Sequence, residues 1–199
     1  MSVMARSETE SGTATRIVDI AERLVQSRGY NGFSYADIAA ELSVSKASLH
    51  YHFPSKGALG EALIVRYATR FADALADIDS SLDDPAAQLA AYTALYSNVL
   101  QGRLNCLCGM LAAEYHTLPE GMRMAVTRFF DENEIWLTTV LARGRDEGQL
   151  VFDRTTAETA RMIISVLEGG MLLARAYDDA ARFEVSVNYL LATLKRGGR

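Results

Sequence analysis

The chain has 199 residues, 49% of them hydrophobic, with 20 Lys and Arg against 25 Asp and Glu for a net charge of -5, enough apolar content for a sizeable core. Its longest apolar runs, such as 163–167 and 171–174, fall far short of the roughly 20 residues needed to cross a bilayer, so no membrane partner is expected. Residues 1–12 include Ser, Thr, Glu and Gly and hold no long apolar stretch, which reads as a flexible arm rather than a signal peptide and points to the cytoplasm.

In chain order the pattern is helical throughout, because three prolines and no run of period-two alternation leave little room for strands. Ile17, Ile20, Ala21, Leu24 and Val25 follow i, i+3, i+4 spacing and Gly29 ends that helix. Ser34 is placed to cap a short helix to about Leu42 and Ser45 another to about His52. Pro54 breaks the second, and Ser55 caps a long helix carrying Leu59, Leu63, Tyr67, Phe71, Leu75 and Ile78. Asp84 and Pro85 open a further helix to about Gly102, followed by a shorter one near 106–116. Thr117 and Pro119 begin a long helix that stops at Gly148, Thr155 or Thr156 starts another to about Tyr177, and the last runs near 182–195.

The expected fold is all-α: an N-terminal arm and three-helix domain over 1–57, and a larger helical domain over 58–199. Although the chain is acidic, residues 1–57 carry six basic and six acidic side chains, so the negative charge lies downstream. A neutral end can approach phosphates while an acidic body stays away from them.

The stretch 33–56, FSYADIAAELSVSKASLHYHFPSK, holds two short helices joined by a tight turn, with Ile38, Ala39, Leu42, Val44, Leu49 and Phe53 as the apolar set that locks them. Such a pair lets one helix brace against the DNA backbone while the other presents side chains to base edges in a major groove about 12 Å wide. Gly29-Tyr30, Phe33, Ser34, Asp37-Ile38-Ala39, Val44-Ser45-Lys46, Leu49, Tyr51-His52-Phe53 and Ser55-Lys56 together resemble the tetracycline-repressor (TetR) family of regulators. The resemblance covers about the first sixty residues. It implies an all-helical homodimer whose helix-turn-helix domain binds double-stranded operator DNA and whose larger ligand-binding and dimerisation domain answers to a small-molecule effector.

The family pattern places Tyr51 and Lys56 on phosphate, and Lys46, Ser48 and His52 on or beside the groove-facing surface. With Ser34, Tyr35, Ser45 and His50 these form the candidate DNA-binding set. His50 stands where the family commonly has Tyr, and Ser43 where Gly is common because Gly tolerates a positive φ. A metal reading of His50 and His52 fails, since residues two apart on a helix point about 200° from each other.

Tyr92, Tyr96, Tyr115, His116, Phe129, Trp136 and Met171 are the candidate ligand-binding set, drawn from an aromatic and Met-rich group spread over the middle helices. Singly each is ordinary core; together they suit an apolar pocket with polar tips. Cys106 and Cys108 are too close for an ordinary disulfide and read as small apolar fillers, with a redox sensor as the less favoured use. The chain lacks a nucleophile elbow, a phosphate loop and a di-iron Glu-x-x-His pair, so neither an enzyme nor a cofactor or metal site is expected. The runner-up is a helical small-molecule-binding or enzymatic bundle that does not use its N-terminal motif on DNA. The segment 163–174 is apolar almost all round, which places the dimer interface on the last two helices, with Gly169 and Gly170 allowing close approach.

Overall fold

The computed structural model describes the backbone of residues 2–194 and the side chains of residues 12–194. Among the described residues there are nine α-helices and no strand: α1 (Ser2–Arg28), α2 (Tyr35–Leu42), α3 (Lys46–His52), α4 (Lys56–Ser81), α5 (Pro85–Gln101), α6 (Leu107–Ala113), α7 (Glu120–Asp146), α8 (Thr156–Ala176) and α9 (Ala181–Leu194). A single 3-10 turn, Tyr115–Thr117, follows α6. The first helix runs back to Ser2 through the segment expected to be an arm, since nothing in that segment, least of all a proline, prevents helical propagation. Lys195, at the expected end of the last helix, lies outside the described residues. None of the helices is long and apolar enough to cross a membrane among the residues described.

The caps account for most of these boundaries. Ser45 Oγ accepts from Ser48 N–H, Asp84 accepts from Ala86 and Ala87 N–H with Pro85 at the first helical position, and Thr155 accepts from Glu158 N–H while the Glu158 carboxylate takes Thr155 N–H in return. At α2 the return half of such a box dominates: the Asp37 carboxylate accepts from Ser34 N–H and from Ser34 O–H, each at 2.7 Å, and these bonds hold its pKa below the usual carboxylate range.

Two compact units divide the chain, 1–67 with 107–126 and 68–106 with 127–199. The first extends beyond 1–57 because the start of α4 and the piece 107–126, which holds α6, join it. Glu114 accepts from Tyr30 N–H at 2.5 Å and from Asn31 N–H at 3.3 Å, and Asn31 Nδ2 donates to Thr117 at 2.7 Å. Gly29 makes room for this: it sits at φ +82°, and a Cβ there would come within 2.9 Å of the Glu114 carboxylate. The core of this unit contains Ile17, Ala21, Leu24, Val25, Ile38, Leu42, Leu49, Leu59 and Leu63, all buried.

In the second unit α5, α8 and α9 pack together, with Leu89, Tyr92, Ile163, Leu167, Met171, Phe183, Val187 and Leu190 buried. Gln88 Nε2 donates to Leu82 O at 2.8 Å and to Asp79 at 3.2 Å, Arg143 donates to Gln88 Oε1, and Trp136 Nε1 donates to Asp79 at 2.9 Å. These bonds tie α4, α5 and α7 to one another. A Cβ at Gly170 would meet Phe183 of the chain's own α9 at 3.1 Å, whereas one at Gly169 would meet open space. The close approach that Gly170 permits is therefore within one subunit.

Candidate nucleic-acid interface

The turn between α2 and α3 is built on Ser43, which holds a left-handed conformation at φ 55°, ψ 41°. That conformation costs a residue with a Cβ roughly 1 kcal/mol, and it confirms that the backbone there is the one Gly would suit. Leu49 is fully buried, and α3 packs on α2 through the apolar set. Its neighbours face outward: Ser45, Lys46, His50 and Tyr51 are exposed and Ser48 and His52 half-buried. Tyr51, at 72% exposure, has no packing reason to be a large ring.

A shallow hollow of about 340 Å³ brings together Ser34, Tyr35, Lys46, His50 and Lys56. Tyr35 O–H donates to Phe53 O at 2.9 Å, and burial pushes its pKa up to about 12. The His50 ring lies 4.8 Å from that of Tyr35, and its Nδ1 is 3.3 Å from Pro54 O. A carbonyl only accepts, so this contact puts the proton on Nδ1 and leaves Nε2 an acceptor in the neutral ring. His52 instead meets Tyr51 edge to face at 5.2 Å.

Lys56 is committed more deeply than the sequence shows. Its ammonium donates to Tyr30 O at 2.6 Å and Phe33 O at 2.5 Å, and lies 4.5 and 4.3 Å from the centres of those two rings. Burial lowers its pKa, partly offset by Glu114 and Asp37. Two of three N–H donors thus hold the loop that precedes α2.

Of the ligand-binding set, the second unit gathers five. Tyr92, Tyr96, Phe129 and Met171 are buried and Trp136 is half-buried. Trp136 stacks on Tyr92 at 5.4 Å, and Phe71, which sequence reasoning passed over as plain core, lies 5.2 to 6.0 Å from Phe129, Tyr92 and Tyr96. Tyr115 and His116 are not in this group. They are exposed in the first unit, edge to face at 5.9 Å. Also missed were Asn133, which accepts from Tyr92 O–H at 3.0 Å and donates to Phe129 O at 2.8 Å, and Glu168. Cys106 and Cys108 are buried and form no disulfide. Cys106 bonds the Glu168 carboxyl, an acid where a sensing thiolate calls for a cation. Among the described residues no group of three or more His, Cys, Asp and Glu side chains is placed to hold a metal ion.

Residues 17–63 match the family model of bacterial regulatory proteins of the tetR family, and residues 85–190 match the tetracyclin repressor-like C-terminal domain. The chain belongs to the TetR family. It is a helix-turn-helix transcriptional regulator. A TetR-family regulator from Agrobacterium tumefaciens is 34% identical and superposes with a TM-score of 0.91, covering 94% of this chain and 100% of that one. Over 46 residues the chain is 44% identical to the negative transcriptional regulator IcaR of the icaADBC biofilm operon in Staphylococcus aureus, 23% of this chain and 25% of that one. A regulator from Saccharomonospora viridis, solved in complex with choline, shares the fold at 22% identity with a TM-score of 0.81 over 94% and 100% of the two chains.

Proposed function

We propose that this TetR-family protein is a cytoplasmic repressor that reads a palindromic operator as a homodimer and leaves it when a small, largely apolar ligand binds. The observation that carries the DNA half is α3, the recognition helix: Leu49 anchors it while Lys46, His50 and Tyr51 stay exposed beside the hollow that holds Lys56. Tyr51, Lys46 and the remaining N–H of Lys56 take phosphate, which fixes register without reading sequence. Ser34 and Tyr35 flank them from the start of α2. Ser48 and His50 reach base edges, and an acceptor at His50 Nε2 selects the N–H₂ edge of adenine or cytosine.

The dimer uses α8 and α9, where Leu173, Tyr177, Val185 and Tyr189 are exposed around an apolar cleft of about 370 Å³ beside Gly170. Isolated surface apolars need no explanation, but a contiguous set on two adjacent helices does. The ligand half rests on the ring cluster of Tyr92, Tyr96, Phe129 and Trp136. The helix α4 gives Lys56 and Leu59 to the first unit and Phe71, Leu75 and Ile78 to the second, so one element belongs to both. A ligand that prefers the DNA-incompatible arrangement a hundredfold supplies about 2.7 kcal/mol of coupling, within the ordinary range.

Selection of bound duplexes from a random pool tests the DNA reading. The expected result is a palindrome whose half-sites are separated by about one helical turn or slightly more. Recovery of no common sequence would favour a helical ligand-binding bundle instead.

A further inference from the structure

The buried centre of the second unit holds more hydrogen-bond acceptors than donors. Tyr92 O–H donates to Asn133 Oδ1 at 3.0 Å, so in the Tyr92–Tyr96 pair, 3.2 Å apart, Tyr96 is the donor. One N–H of Asn133 Nδ2 is spent on Phe129 O. That leaves the Tyr96 oxygen with a lone pair, and near it the carboxylate of Glu168 on α8, whose charge is felt by Tyr92 and Tyr96. Glu168 Oε1 is buried and has no hydrogen-bond partner. The influences on this carboxyl are burial and the Cys106 thiol, with no cation among them. A buried carboxylate with one oxygen unpartnered and only a thiol on the group is costly for a core to hold.

The chemistry that answers a surplus of acceptors is a group made only of donors. An ammonium has three and accepts nothing, whereas a carboxylate ligand would add acceptors to acceptors. The rings around it suit a cation as well: Phe71, Tyr92, Tyr96, Phe129 and Trp136 lie with centres 5.2 to 6.0 Å apart from neighbour to neighbour, and aromatic faces attract a desolvated cation.

We propose that this site takes a protonated amine on an apolar, ring-containing body, with the Glu168 carboxylate as counter-ion and the ring cluster as its wall. The inference rests on the ligand-responsive reading above and gives it a substrate class.

Trp136 is the chain's single tryptophan and stacks in the cluster, so its emission reports occupancy directly. The test titrates the full-length protein with phenethylammonium and with 2-phenylethanol, a neutral molecule of nearly the same size, and repeats both with Glu168→Gln. The wild type is expected to bind the ammonium at least tenfold more tightly, and Glu168→Gln to lose that preference while keeping its affinity for the alcohol. A merely structural role for Glu168 would lower both affinities together. Equal affinity for the two compounds in the wild type overturns the proposal even if the variant fails to fold, and so does an ammonium preference that survives in Glu168→Gln. Operator release is scored in parallel with a panel of neutral aromatic compounds. If these release the operator and amines do not, the amine assignment alone falls; if neither class does, the ligand-responsive reading falls with it.

Discussion

The recognition segment and the ring cluster solve opposite problems with polar groups. In the first unit the polar side chains of α2 and α3 are mostly exposed, and the caps reach partners three residues away, as Ser34 with Asp37 and Ser45 with Ser48. In the second, Tyr92, Tyr96, Asn133 and Glu168 Oε1 are buried, and the bond from Tyr92 to Asn133 joins α5 to α7. A surface laid out locally is ready to meet a charged polymer. A buried set assembled from distant positions is the one proposed above to take a small molecule, and every unmet bond in it carries a cost.

The largest expected effect separates scaffold from contact within the first unit. Leu49→Ala removes a side chain with no exposed surface and should cost about 3 kcal/mol, read by urea denaturation, with operator binding lost as the helix loosens. Tyr51→Ala at the neighbouring position should stay within about 0.5 kcal/mol while weakening DNA binding. Equal stability losses at the two positions would break the distinction.

A smaller effect sharpens the other side. Burial pushes the Glu168 carboxyl up to about 7, so the folded protein keeps a proton that the unfolded chain releases near its ordinary value of 4.5. Between those values the folded state binds more protons, and stability falls as pH rises through the window and levels off above it. The expected loss across the window is about 3 kcal/mol. Tyr92 and Tyr96, both raised by burial, stay neutral throughout. Glu168→Gln should flatten the profile and melt higher than the wild type at pH 8. An unchanged profile would show that this carboxyl does not titrate in the window.

The smallest effect is at the turn. Ser43→Gly relieves the left-handed conformation and should stabilise the protein by about 0.5 to 1 kcal/mol, some of the strain relief being returned as unfolded-chain entropy. Destabilisation would mean that the Ser43 side chain has a role its backbone does not reveal.

The same contrast explains what was legible beforehand. Ser34, Ser45, Ser55, Asp84 and Thr155 marked helix starts because a cap acts within three residues, and Gly29, Gly148 and Ser43 marked stops and a turn through φ alone. Tyr92, Tyr96, Phe129, Trp136 and Met171 were recognisable as a group by residue type. Nothing local separated them from Tyr115 and His116, which are equally aromatic and lie exposed in the first unit. Glu168 did leave a signal: it is the one acid in 163–174, a stretch otherwise apolar almost all round. The double engagement of Lys56 left none, because its acceptors are backbone carbonyls 23 and 26 residues away.

The most direct test of the central claim, that α3 reads DNA with its exposed face, is selection from a random duplex pool with the wild type, Ser48→Ala, His50→Ala and Tyr51→Phe. The expected result is one palindrome for the wild type and for Tyr51→Phe, the latter bound more weakly at every sequence, with the preferred bases changed or relaxed at specific half-site positions in Ser48→Ala or His50→Ala. The same palindrome with unaltered preferences from all four proteins would contradict the assignment of base reading to this helix.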